Sequence, residues 1–160
     1  MGLAGSSLFR VILSAILSDN EDIDGPFAGH KERAMDGTAA TLVHGHRQAM
    51  TASISDIARL LQELLSRRLT AYLAGVKDGK TVARWASGDV TEIRDPGTEQ
   101  RLRTAYEIAQ LLLGVDSPQT VRAWFIGLNP QLGDVPPAEA IRAGQLHEAL
   151  AAARAFAVVG

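Results

Sequence analysis

Residues 69–88 read LTAYLAGVKDGKTVARWASG. The stretch contains two short apolar-patterned segments separated by a glycine. Leu69 and Leu73 are four apart and face one side of a first helix, which Gly75 ends by supplying the positive φ of a tight turn. Val76 is expected to plug the corner. The turn is read as Val76–Gly79 and the second helix as Lys80 to Ser87, closed by Gly88. Val82 and Trp85, three apart, point inward, which leaves Lys80, Thr81, Arg84 and Ser87 outward with Lys77 just before them. This is the grammar of a helix-turn-helix. Long cations suit guanine edges and phosphates, and a short hydroxyl suits a phosphate oxygen. Arg67, Arg68 and Arg94 flank the stretch as further backbone contacts. An ordinary helical hairpin with a solvated charged face has the same pattern. The spacing from Gly75 to Trp85 is also one residue longer than the commonest form of the motif.

Outward from this stretch the chain keeps a helical period. Upstream, Ile54, Ile57, Ala58, Leu61, Leu64 and Leu65 form one apolar face, with Ser53 or Ser55 as the cap. Downstream, Asp95-Pro96 starts a long helix with Leu102, Ala105, Tyr106, Ala109, Leu112 and Leu113 on one face, stopped by Gly114. Ser117-Pro118 starts another by the same logic, with Val121, Trp124, Phe125 and Leu128 as its stripe and Trp124 as a core anchor. Asn129-Pro130 and Gly133 break it, Pro136-Pro137 opens a short helix through Ile141, and Gly144 ends that one. A last Ala-rich helix is expected from about Leu146 to Phe156. No segment alternates as a strand does, so the fold class is all-α, with six or seven short helices. The organisation reads as an extension over 1–49, a helix-turn-helix region over 50–97 and a helical domain over 98–160. In the extension, Leu8–Leu17 suggests one short apolar helix and residues 18–49 a flexible segment; an upstream start codon would explain the extension equally well.

Composition bounds the chemistry. The chain has 160 residues, 46% of them hydrophobic and 5% aromatic, so its core is built from Leu, Ile, Val and Ala. It has no cysteine, which excludes disulfides, thiolate zinc sites and a cysteine nucleophile, and fits a reducing cytoplasm. Leu8–Leu17 is too short to span a membrane and contains Arg10, unlike a signal peptide. The net charge of −2 hides a gradient: residues 59–103 carry nine Lys/Arg against six Asp/Glu, while both flanks are net acidic. His44-Gly45-His46 has no third ligand nearby and reads as loop. With no nucleophile elbow and no phosphate loop, neither an enzyme nor a cofactor is expected.

Two stretches together carry a family resemblance. TVARWASGDV (residues 81–90) and VRAWFIGLNPQLGDVPPAEAIRAGQLHEALAAARA (residues 121–155) resemble the Xre/MbcA/ParS antitoxins over roughly residues 54–160. The pattern is Trp124, then Asn129-Pro130, Leu132, Pro137 and Ile141, ending on Arg142-x-Gly144. The resemblance implies operator binding through the helix-turn-helix and neutralisation of a RES-type toxin, an enzyme that consumes NAD⁺. It implies Trp124, Asn129, Arg142, Phe156, Val158, Val159 and Gly160 as toxin-binding residues, the last few plugging the toxin's active site. Asn129 and Arg142 can equally brace their own loop, and the tail can equally fray or pack on its own domain. That tail carries no charged side chain to imitate a polar substrate. A homodimer is implied too, joined through Thr98–Leu113 or the apolar N-terminal stretch. A stand-alone regulator using the C-terminal domain for another protein is the alternative.

Overall fold

The computed structural model describes Arg47 and residues 49–159. The short N-terminal helix and flexible segment expected over 1–49 lie almost wholly outside these residues, as do His44 and His46. The described fold is all-α: α1 (Ile54–Leu65), α2 (Arg67–Ala74), α3 (Gly79–Ser87), α4 (Pro96–Leu113), α5 (Pro118–Ile126), a 3₁₀ turn (Pro130–Leu132), α6 (Pro137–Arg142) and α7 (Leu146–Val159). The only bridge of β type among them pairs Asn129 with Val135 across that 3₁₀ turn.

Local chemistry sets nearly every boundary. Ser53 Oγ accepts from the Asp56 amide at 3.2 Å and starts α1. Asp95 does the same for α4, taking the Thr98 amide at 2.8 Å, with Pro96 pre-set for the first helical position. Ser117 and Pro118 repeat the device at α5. Gly75 and Gly88 end α2 and α3 in the left-handed region, at φ +80 and +83. Ser66, between α1 and α2, is the exception. It sits at φ 89, ψ 153, a region that belongs to glycine, while its Oγ still caps α2 through the Leu69 amide.

Helix α4 lies at the centre, packing on α1, α2, α5, α6 and α7. One core therefore runs across residue 97. Besides the expected Leu102, Ala105, Tyr106, Ala109 and Leu112, α4 buries Ile108 and Leu111, so more than one face is covered. None of its residues from Arg101 to Leu113 is exposed, and this helix offers little surface to a second copy. Each fully buried Leu or Ile contributes about 1.5–3 kcal/mol, and Ile57, Leu61, Leu65, Leu73, Leu102, Ile108, Leu112 and Ile141 are all below 2% exposed. Burial also raises the pKa of the Tyr106 phenol, whose oxygen accepts from Gln110 Nε2 at 2.9 Å.

Three expectations are corrected. Phe125, at 0% exposure, is the aromatic in the core, and Trp124 is only half-buried beside it. Leu128 does not join the stripe: α5 ends at Ile126, and Leu128 stands 72% exposed. The last helix does not end at Phe156 but continues to Val159. Phe156 and Ala157 are thus helical and half-buried.

Candidate nucleic-acid and partner surfaces

Helix α3 divides cleanly. Val82 (0% exposed), Trp85 and Ala86 pack inward against α1 and α2. Lys80, Arg84 and Ser87 are exposed and Thr81 is half-buried; Lys77 is exposed on the preceding turn. Gly75 is left-handed as expected, but Val76 is only half-buried, its amide donating back to the Ala71 carbonyl at 3.0 Å, and α3 already starts at Gly79. Asp78 caps α3, its Oδ1 accepting from the Lys80 amide at 2.9 Å and the Thr81 amide at 3.2 Å. The outward set is therefore Lys77, Lys80, Thr81 and Arg84 on a rigid element. Ser87 belongs to it only in position. Its hydroxyl is held by Asp89 Oδ2 at 2.7 Å and lies 3.1 Å from the Arg84 carbonyl.

The basic middle of the chain is smaller on the surface than in the sequence. Three of its nine cations are tied to backbone carbonyls, Arg101 and Arg103 half-buried and Arg59 still exposed. Arg59 Nε donates to the Ala86 carbonyl at the end of α3 at 2.8 Å. Arg101 Nε donates to the Ala74 carbonyl at the end of α2 at 3.0 Å. Arg103 Nη1 donates to the carbonyls of Ala49 (2.8 Å) and Ala52 (3.1 Å), and its other nitrogens meet Glu99. At the ends of α3 and α2, Arg59 and Arg101 are favourable twice, through the hydrogen bond and through the helix dipole. Facing water around α2 and α3, and among the described residues with no carbonyl at a helix end to hold them, are Arg67, Arg68, Lys77, Lys80, Arg84 and, beyond Gly88, Arg94, while Arg59 is exposed but tied to Ala86. Arg67 crosses the first turn of α3, where a Cβ on Gly79 would come within 2.9 Å of its Cγ.

The C-terminal candidates separate into two groups. Trp124 and Phe156 meet, ring centroids 6.4 Å apart, and Trp124 and Phe125 stand nearly perpendicular with centroids 5.4 Å apart. The end of α7 leaves Val158 and Val159 at 73% and 89% exposure. Ile126 and Leu128 are exposed at the end of α5 and just beyond it. Gly160 lies outside the described residues. Asn129 and Arg142 are occupied inside the chain. Asn129 Oδ1 accepts from the Gln131 amide at 3.0 Å, closing the turn that Pro130 stiffens. Arg142 Nη1 donates to the Tyr72 carbonyl at 2.7 Å, and its guanidinium lies over the Tyr72 ring at 4.5 Å. Asn129 thus braces its own loop, whereas Arg142 reaches across to α2 rather than to its loop. Tyr72 carries no local signal for this role, since it stands 70 residues from Arg142 in the chain. Asp78 did have a signal, an Asp-Gly at a helix start.

A groove of about 500 Å³ lies between the start of α1 and residues 91–93, with Glu92, Glu99 and Arg103 on its walls. Its one cation is the Arg103 already bonded to Glu99 and to backbone carbonyls. Among the described residues no cluster of His, Cys, Asp and Glu is arranged for a metal, and no helix is long and apolar enough to cross a membrane. No family model, no curated protein and no solved structure matches this chain.

Proposed function

We propose that this protein is a DNA-binding antitoxin of a type II toxin–antitoxin pair. In this reading α2 and α3 are the helix-turn-helix that represses its own operon. The observation that carries it is the division of α3: Val82 and Trp85 are buried while Lys77, Lys80, Thr81 and Arg84 face away from the core. A rigid helix presenting cations beyond a tight glycine corner suits insertion into a major groove, with Arg67 and Arg68 at the start of α2 reaching phosphates. A homodimer would read two half-sites.

The second partner is a RES-type, NAD-consuming toxin, bound by the surface that Trp124 and Phe156 begin and Val158 and Val159 extend. Support for it comes from the family resemblance and from the exposed apolar side chains at the end of α7. In this reading the C-terminal residues block the toxin's active site as the end of a helix rather than as a loose tail. Both partners place the protein in the cytoplasm.

Two experiments test the two halves. Salt-titrated binding to the upstream DNA should weaken in Lys80→Ala and in Arg84→Ala, with a salt slope shallower by about 1 for each lost phosphate contact. Unchanged binding in both variants removes α3 as the reading element. Co-expression with a neighbouring RES-type gene should rescue growth, and deletion of residues 156–160 should reduce rescue. Full rescue by the truncated protein refutes the C-terminal block. DNA binding without rescue by the intact protein favours the stand-alone regulator.

A further inference from the structure

The start of α3 is where a nucleic acid and this protein would meet most closely, and it carries a carboxylate. A helix start with free amides attracts phosphate. Here the amides of Lys80 and Thr81 are both taken by Asp78 Oδ1 at 2.9 and 3.2 Å. A phosphate oxygen arriving there would meet an anion of like sign in place of those two donors. Among the described residues, Asp78 Oδ2 accepts no hydrogen bond and no cation forms an ion pair with Asp78, although Lys77 and Lys80 adjoin it in the chain. The side chain is exposed, and Arg67 passes the same turn at Gly79. So one carboxylate oxygen is structural and the other is unbonded on an exposed side chain, with Lys77 and Lys80 close by in the chain.

We propose that Asp78 is a selectivity residue of this surface: it turns the start of α3 away from phosphates and accepts a hydrogen bond from an exocyclic amino group on a base edge. The inference rests on the nucleic-acid reading above and adds what that surface prefers. Cations alone hold any duplex through its phosphates, without regard to sequence. A carboxylate among them costs affinity wherever it lies against the backbone and regains it over a cytosine or adenine amine, which donates in the major groove. Guanine offers only acceptors there, so a carboxylate rejects it. Asp78 thus lowers affinity for random DNA and raises the contrast between sites.

Asp78→Asn and Asp78→Ser isolate the charge, because Asn and Ser cap a helix about as well as Asp. Full-length wild type and both variants are titrated with a pool of short random-sequence duplexes, and each protein then selects its preferred sequences from that pool. Thermal melting monitors the fold of both variants. The expected result is roughly fivefold tighter binding of the pool by each variant, the effect of removing one unit charge about 4 Å from another in water. The selected sequences should also lose an exclusion of guanine at one position of the half-site. Wild type and variants that bind the pool equally and select the same sequences overturn the role of Asp78 and leave the nucleic-acid reading standing. Failure of all three proteins to bind either the pool or the upstream DNA overturns both.

Discussion

The corner between α2 and α3 rests on a contact between Gly75 and Arg101, and a double-mutant cycle can measure it. Gly75 sits at φ +80, and a Cβ built there would lie 3.0 Å from Arg101 Nη2. The same guanidinium donates from Nε to the Ala74 carbonyl at 3.0 Å and reaches Thr98 Oγ1 at 3.3 Å. An alanine in the left-handed region costs about 1–2 kcal/mol, offset by about 0.4–1 kcal/mol for a stiffer unfolded chain. The new methyl also pushes the guanidinium off its carbonyl. Gly75→Ala is therefore expected to cost about 2 kcal/mol. Arg101→Ala removes a charge-assisted bond from a side chain only 21% exposed, worth about 1.5–3 kcal/mol. In the double variant the methyl has nothing to displace and the bond is lost only once. The double variant should then fall short of the summed single costs by about 1 kcal/mol, beyond the usual additivity error of about 0.3–0.5 kcal/mol. Urea unfolding of the four proteins supplies the numbers. Strict additivity, or a Gly75→Ala variant as stable as the parent, refutes the proposed corner.

Three further outcomes follow from the same geometry. Ser66→Gly should raise the free energy of urea unfolding by about 0.5–1 kcal/mol, since relief of about 1–3 kcal/mol of backbone strain exceeds the loss of a weak cap and the added chain entropy; a lower urea midpoint counts against strain at φ 89. Arg142→Lys should lose about 0.5–1 kcal/mol, because a lysine keeps the charge but not the planar stack on Tyr72, and a Lys variant as stable as the parent removes that stack from the account. The side-chain and backbone hydrogen bonds from Thr98 hold the Asp95 carboxyl below its ordinary value. Its contribution is present above the unfolded-state pKa and is lost as pH falls through the lower folded one. Asp95→Asn should therefore flatten the decline in stability below about pH 4, and an acid limb of unchanged slope contradicts this.

The helix boundaries were legible in the sequence because caps are local. Ser53, Asp95, Ser117 and Asn129 each bond an amide two or three residues on, and Gly75 adopts the left-handed turn expected of it, as Gly88, Gly133 and Gly144 also do at the breaks they mark. The inward faces of α1 and α3 were legible because the helical period fixes which residues share a side. Periodicity does not say what covers a side, however. It could not rank Trp124 against Phe125, or stop α5 before Leu128, because both depend on where α6 and α7 come to lie. It also could not see that α4 would be enclosed by five neighbours.

By itself, then, the sequence determined an all-α chain, the positions of its caps and corners, and an outward row of Lys80, Thr81 and Arg84 on α3. Only the tertiary structure decided which charges are tied up inside the chain. Arg59, Arg101, Arg103 and Arg142 end on carbonyls 27 to 70 residues away, so a count along the chain overstates the cations available to a partner. The reason is the length of the side chain. A cap can reach only its own turn, whereas a guanidinium on a flexible stem reaches across a helix packing distance, and its partner is set by the fold.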